Sequence, residues 1–195
     1  VLVVEYKGDA VAEIHWTQTG AHNVDNALAA IAAARHVGIQ PALACEALSA
    51  FVGVKRRMEL LCKINDVSVY DDFAHHPTAI ETTLAGLRQQ VGAEKIIAVL
   101  EPRSNTMRMG VFREKIAPAL SLADEVVFFQ PVNVDWALQD VADQCSISAR
   151  VENNIDQLVI QLSATTGPAH IVIMSNGGFN GLHQKLVMAM QPGSE

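Results

Sequence analysis

The sequence predicts an α/β protein with a Rossmann-like layered sheet, and three observations carry that prediction. Short apolar runs of strand length recur at 67–70, 96–100, 126–129 and 170–174, with a weaker one at 148–151. Helical patterning fills most of the intervals, near 78–90, 111–122, 155–164 and 180–190. Strands that alternate with helices imply largely parallel pairing, with the helices covering the faces. Finally, several of the runs give way at once to polar residues. An open α/β sheet places its ligands at such strand ends, because they open onto the same crevice as the following helix N-termini.

Taken in order, residues 1–6 and 11–16 are β-rich and flank Lys7-Gly8-Asp9, which reads as a hairpin turn. From Asn23 the chain becomes rich in Ala and Leu, most strongly over 26–35, and Gly38 supplies a C-cap. A second helix is expected over 41–50. Both helices carry so little charge that each is expected to pack on more than one face. The segment from Phe51 to Glu59 breaks the helical pattern and brings in Lys55, Arg56 and Arg57, so a domain junction is placed near Gly53. The strand and helix alternation follows it, and the tail from Gln191 reads as frayed.

Composition narrows the functions. The chain has 195 residues, 50% of them hydrophobic and 18% charged, enough for one large domain or for one domain plus part of another. Its net charge is −7 and its basic residues are scattered, which argues against nucleic acid, since such grooves need clustered cations. No apolar run reaches membrane-spanning length and no signal segment opens the chain, so a membrane is not an expected partner. Three widely spaced cysteines without a CxxC pattern speak against a disulfide frame or zinc knuckle and for a reducing, cytoplasmic setting. The chain opens on Val1 rather than methionine and is expected to be a piece of something longer.

The densest chemistry lies in Tyr70-Asp71-Asp72-Phe73-Ala74-His75-His76-Pro77. Acids and imidazoles so placed could bind a divalent metal, relay protons or hold ligand hydroxyls such as those of a ribose. The plainer alternative is one Asp capping the next helix beside solvated histidines. Arg56-Arg57 could pair with phosphate, or be a solvated linker. Asn23 and Asn26, three apart at a helix start, each offer the donor and acceptor that an adenine edge requires. Two further polar loops follow strands: Glu101-Pro-Arg-Ser-Asn-Thr-Met-Arg108, and Ser175-Asn-Gly-Gly-Phe-Asn-Gly181. Three loops converging on one sheet edge suggest a site for a polar or anionic ligand.

In this order, Gly20-Ala-His-Asn-Val-Asp-Asn26, Gly53-Val-Lys-Arg-Arg-Met-Glu59 and Asp71-Asp-Phe-Ala-His-His-Pro-Thr78 resemble the Mur ligases, ATP-dependent amino-acid and peptide ligases of peptidoglycan synthesis. Glu101 to Arg108 and Ser175 to Lys185 place the resemblance nearest the branch that joins UDP-N-acetylmuramate to the recycled tripeptide L-Ala-γ-D-Glu-meso-diaminopimelate. The resemblance implies that residues 1–53 are the end of the family's central ATP-binding domain and 54–195 its C-terminal substrate domain. It implies ATP and Mg²⁺ as cofactors, with Asn23 and Asn26 at the adenine, Arg57 at phosphate or ribose, and Asp72 at the ribose. It makes Arg103, Arg108, Ser175 and Asn176 candidates for the tripeptide, and leaves His75 and His76 as further candidates. No G-x-x-G-K-[ST] phosphate loop occurs, so the chain by itself is expected to be inactive, with no catalytic residue and no metal ligand of its own. Pairing of two copies through the apolar N-terminal helices is also expected. Two rivals stand beside this reading: a metal-dependent phosphoesterase built on Asp71, Asp72, His75 and His76, and a binding module that performs no chemistry.

Overall fold

The chain opens with the antiparallel hairpin β1 (Leu2–Tyr6) and β2 (Asp9–Ile14). Lys7 and Gly8 both have positive φ, as the two-residue turn that matches strand twist demands. Helices α1 (Ala21–His36) and α2 (Pro41–Ser49) follow, α2 starting on a proline that needs no N–H there. Val4, Ile14, Ala27, Ile31 and Cys45 form a small core. Within this unit, each helix buries only a stripe, and Leu28 and Leu43 are exposed, contrary to the expectation of packing on several faces. The computed structural model describes residues 1–130 and 136–191, so of the tail expected to fray only Gln191 is among them. Two compact units result, Val1–Val54 and Lys55–Glu195.

The second unit is a six-stranded sheet. Its strands are β3 (Glu59–Ile64), β4 (Val67–Asp72), β5 (Lys95–Leu100), β6 (Glu125–Phe129), β7 (Ser148–Glu152) and β8 (Ala169–Met174), in the order β3-β4-β8-β5-β6-β7. All neighbours are parallel except β3, which pairs antiparallel with β4 through a tight turn at Asn65 and Asp66, both at positive φ. β3 departs from the predicted pattern, because Glu59 and Lys63 interrupt its apolar alternation.

Helices α3 (Pro77–Val91) and α5 (Arg113–Ala119) cover one face, with the short α4 (Asn105–Arg108) and α6 (Gln139–Ala142) beside them. Their Ile80, Leu84, Leu87, Ile116 and Val141 pack on Ile96, Ala98, Val126 and Val172. The opposite face meets α7 (Ile155–Ser163) and α8 (Leu182–Met190), whose Leu158, Leu162, Leu182 and Leu186 pack on Val69, Val99 and Ile171. A 3₁₀ turn, Phe179–Gly181, precedes α8, so the helix starts later than the sequence pattern suggests. The sheet thus runs outward from β4 through β5, β6 and β7 before β8 returns to the gap between β4 and β5. The crevice outside the carboxyl ends of β4, β8 and β5 lies where the winding changes direction, the place where such sheets bind ligands.

Cys45, Cys62 and Cys145 are free thiols. Among the described residues no helix is long and apolar enough to cross a membrane.

Candidate functional site

Register brings the three strand ends level: Asp72 stands beside Met174, and Met174 beside Leu100. Backbone bonds carry the ladder one step further, with Ser175 N donating to Asp72 O and Glu101 N donating to Met174 O, each pair 3.0–3.1 Å apart. The loops that begin at Phe73, Glu101 and Ser175 are therefore held side by side.

Asp71 and Asp72 are consecutive residues of a strand, so their side chains leave on opposite faces. Asp72 is 3% exposed. Its Oδ2 accepts from Met58 N at 2.8 Å, and its Oδ1 accepts from Ala74 N at 2.8 Å and from Thr83 Oγ1 at 3.3 Å. Burial pushes its pKa above the ordinary carboxylate value, and the two N–H groups, Arg57 and Thr83 offset only part of that. Both oxygens of Asp72, the residue expected at the ribose, accept hydrogen bonds that shape the backbone on either side. On the other face, Asp71 Oδ2 takes Arg56 Nε at 3.1 Å, while its Oδ1 lies 3.1 Å from His183 Nε2 of α8. That His183 nitrogen is buried and makes no aligned hydrogen bond.

Arg56 also donates from Nη2 to the carbonyls of Ser175 and Gly177, at 2.6 and 2.8 Å. Arg56 and Met58 both adopt positive φ, 59° and 48°, a conformation that costs a β-carbon-bearing residue about 1–2 kcal/mol each. The kink is held by Glu59 accepting from Arg56 N at 2.8 Å, by Phe73 N donating to Arg56 O at 2.8 Å, and by Asp72. Arg57, between the two kinked residues, is exposed, and its guanidinium lies 5.5 Å from the Phe73 ring centroid.

His75 packs edge-on against the same ring at 5.1 Å, and its Nδ1 lies 2.8 Å from Phe73 O, so this nitrogen carries the proton. His76 is the N-cap of α3, with Nδ1 accepting from Thr78 N at 3.4 Å and its ring 4.3 Å from that of Phe112. The cap is thus a histidine rather than an aspartate. The phosphoesterase arrangement fails on geometry: its two acids face apart and are engaged, and its two histidines bond to backbone. Among the described residues no cluster of three His, Cys, Asp or Glu is placed to hold a metal.

The β5 and β8 ends centre on a pair that sequence reasoning missed. Glu101, 3% exposed, accepts at Oε2 from Ser175 Oγ at 2.5 Å, and Ser175 Oγ accepts from Gly177 N at 3.0 Å. Ser175, a candidate for the tripeptide, has no exposed surface and ties the two loops together. Arg103, with a side chain 51% exposed, runs across Gly177 so closely that a β-carbon there would sit 2.3 Å from its Cδ. Its Nη1 is 4.0 Å from Glu101 Oε1. Asn176 Oδ1 is buried with no hydrogen-bond partner. Arg108 ends α4, where Trp136 Nε1 donates to its carbonyl at 2.8 Å. In the other unit, Asn23 Nδ2 donates to Thr19 O at 2.7 Å within the first turn of α1, and Asn26 is exposed one turn later.

Charge is thereby sorted along the edge. Arg57 and the Phe73 ring lie beside the β4 end, Arg103 and Asn176 beside the β5 and β8 ends, and the buried acids lie beneath as struts. Such an edge can receive an anion and hold a second polar molecule next to it.

A family model described as "Mur ligase, glutamate ligase domain" matches residues 56–177. The UDP-N-acetylmuramate–L-alanyl-γ-D-glutamyl-meso-2,6-diaminoheptandioate ligase of Escherichia coli is 52% identical over 182 residues, which cover 92% of this chain and 40% of that protein. The crystal structure of a murein peptide ligase from Psychrobacter arcticus superposes with a TM-score of 0.71 at 43% identity, over 93% of this chain and 39% of that one. A UDP-N-acetylmuramate–alanine ligase from Thermotoga maritima gives a TM-score of 0.80 at 27% identity, over 95% and 41%. The chain therefore spans about two fifths of the length of the relatives it matches. With more than half its residues inside the family model and the expected sheet in place, the chain belongs to the Mur ligase family.

Proposed function

We propose that this chain is the C-terminal part of an ATP-dependent ligase that joins UDP-N-acetylmuramate to the tripeptide L-Ala-γ-D-Glu-meso-diaminopimelate. The observation that carries the proposal is the 52% identity with the E. coli relative of that name, sustained over 92% of the chain and so through both of its units. Residues 1–53 then supply the end of the central ATP-binding domain, and 54–195 the C-terminal domain.

In the reaction, the muramyl carboxylate takes the γ-phosphoryl group of ATP, and the tripeptide amine displaces phosphate to form the amide. Arg57 serves the nucleotide phosphates as an exposed cation, and the neighbouring Phe73 and His75 shape its surroundings. Asn23 and Asn26 serve the adenine. Arg103 and Asn176 serve the tripeptide: Arg103 offers a planar fork to a carboxylate, and the half-buried Asn176 borders the same loop. Arg108 borders the same side, and His76 acts through the cap of α3. Among the described residues no group of three His, Cys, Asp or Glu is placed to hold Mg²⁺. The work proposed for this chain is to orient the amine and balance charge. Alone it binds without turning over, which retains the binding-module description for the isolated chain. The exposed Leu28 and Leu43 support pairing of two copies through α1 and α2, which sedimentation of the isolated chain checks.

The test is a ligase reconstituted by joining this chain to the preceding three fifths of the E. coli relative. It is expected to consume ATP in forming the UDP-linked tripeptide, whereas the isolated chain produces none. A folded, ATP-binding fusion without ligation refutes the substrate assignment, and turnover by the isolated chain refutes its dependence on the missing part.

A further inference from the structure

We propose that Arg56 is a positioning residue that locks the nucleotide side of this site to its acceptor side, so that Arg57 and the loop 175–177 hold one shared arrangement. The inference rests on the reading above for the two sides, and on the following geometry for their linkage. One guanidinium meets acceptors from two separate chain segments: Asp71 at the end of β4, and the carbonyls of Ser175 and Gly177 after β8. A planar fork with fixed donor directions can satisfy these together, which the point charge of a lysine cannot.

The grip reaches Arg57 through the main chain. The Arg56 backbone is fixed at both of its polar groups, its N–H by Glu59 and its carbonyl by Phe73 N. A shift of the Arg56 side chain therefore moves the segment that carries Arg57 and loosens the bond to Phe73, whose ring lies under both arginines. Asp71 cannot follow freely, because its second oxygen faces His183. At the far end, the Ser175 and Gly177 carbonyls flank Asn176, and Gly177 lies beneath Arg103. A ligand that draws on the loop 175–177 thus acts on Arg57, and by linkage the reverse holds.

Two measurements test this, one of them independent of ligase activity. In the chain itself, R56Q is expected to speed amide exchange at Phe73 and over 175–178 by at least about tenfold, with β5 and β6 unaffected. R56K, which keeps the charge without the fork, should fall between. In the reconstituted ligase, R56Q should raise KM for both ATP and tripeptide about fivefold or more with a smaller change in kcat, and R56K should recover part of each. A merely structural role gives fewer active molecules, hence lower kcat at unchanged KM. Unchanged exchange over 175–178 overturns the linkage, and so does a KM change confined to one substrate. If the unsubstituted fusion does not ligate, the functional reading fails, while the exchange measurement still decides whether Arg56 couples the two segments.

Discussion

Replacing Ser175 by alanine isolates the bond that ties the β5 loop to the β8 loop. The hydroxyl is fully buried and serves two partners, donating to the Glu101 carboxylate at 2.5 Å and accepting from Gly177 N at 3.0 Å. Its loss strips a buried carboxylate of a charge-assisted bond, about 2 kcal/mol, and leaves one amide donor without its acceptor, about 1 kcal/mol more. At ~2.1 cal/mol/K per residue, a unit of roughly 140 residues has an unfolding entropy near 0.3 kcal/mol/K, so ~3 kcal/mol lowers Tm by about 10 °C. The two tryptophans, Trp16 and Trp136, lie in different units, so fluorescence melting in a W16F background follows the second unit alone. Glu101→Gln is the control: it keeps a neutral bond to the same hydroxyl and should cost only about a third as much. A Tm drop below about 2 °C for Ser175→Ala, or an equal drop for Glu101→Gln, refutes the assignment of this pair as a charge-assisted tie.

Three further outcomes follow from the same structure. Gly177→Ala places a β-carbon 2.3 Å from Arg103 Cδ; since a flexible side chain yields more readily than backbone, stability should fall by under about 1 kcal/mol, while in the reconstituted ligase KM for tripeptide rises more than KM for ATP. An unchanged tripeptide KM removes Arg103 from the acceptor side. Burial raises Glu125, but its pairing with Lys95 at 2.8 Å and with Arg150 outweighs this and holds its pKa below the ordinary value. A depressed folded-state pKa contributes stability that is present above the unfolded value and is lost as pH falls through the folded one. Urea titrations should therefore show Glu125→Gln more destabilising at pH ~7 than at pH ~3, and equal effects at the two would count against the pairing. Tyr70→Phe removes the hydroxyl 3.3 Å from Nδ1 of the buried His170, whose Nε2 meets Glu94 at 2.7 Å, and should cost about 1 kcal/mol in the same titrations; a change within error means that hydroxyl is no partner.

Much of the architecture is legible because it is local. Uninterrupted runs such as Lys95–Leu100 and Ala169–Met174 announce buried parallel strands, and Pro41 and Pro77 mark helix starts. β3 is less legible, since Glu59 and Lys63 blur its pattern and only the Asn65-Asp66 turn betrays the hairpin. For the site, the same period of two that marks 67–72 as a strand sends Asp71 and Asp72 to opposite faces, so adjacency in sequence overstates their proximity in chemistry. Strand ends identify the three loops, but what lies beneath them is non-local. Glu101 and Ser175 are 74 residues apart in the chain, and Arg56 reaches carbonyls about 120 positions away. No short-range pattern foretells a carboxylate that turns inward.

The strand at the heart of the sheet is also its last. Until residues 169–174 leave the ribosome, β4 and β5 have no partner between them, and each offers a row of unpaired backbone N–H and C=O groups to whatever strand is nearby. Closing that gap joins non-local segments, a slow step on topological grounds and one exposed to misassembly. Since the loop that follows β8 carries Ser175 and Gly177, the event that seals the sheet also brings Arg56 its carbonyl partners. A nascent chain therefore has no half-built loop edge, and gains the arrangement of its three loops in the same step as its core.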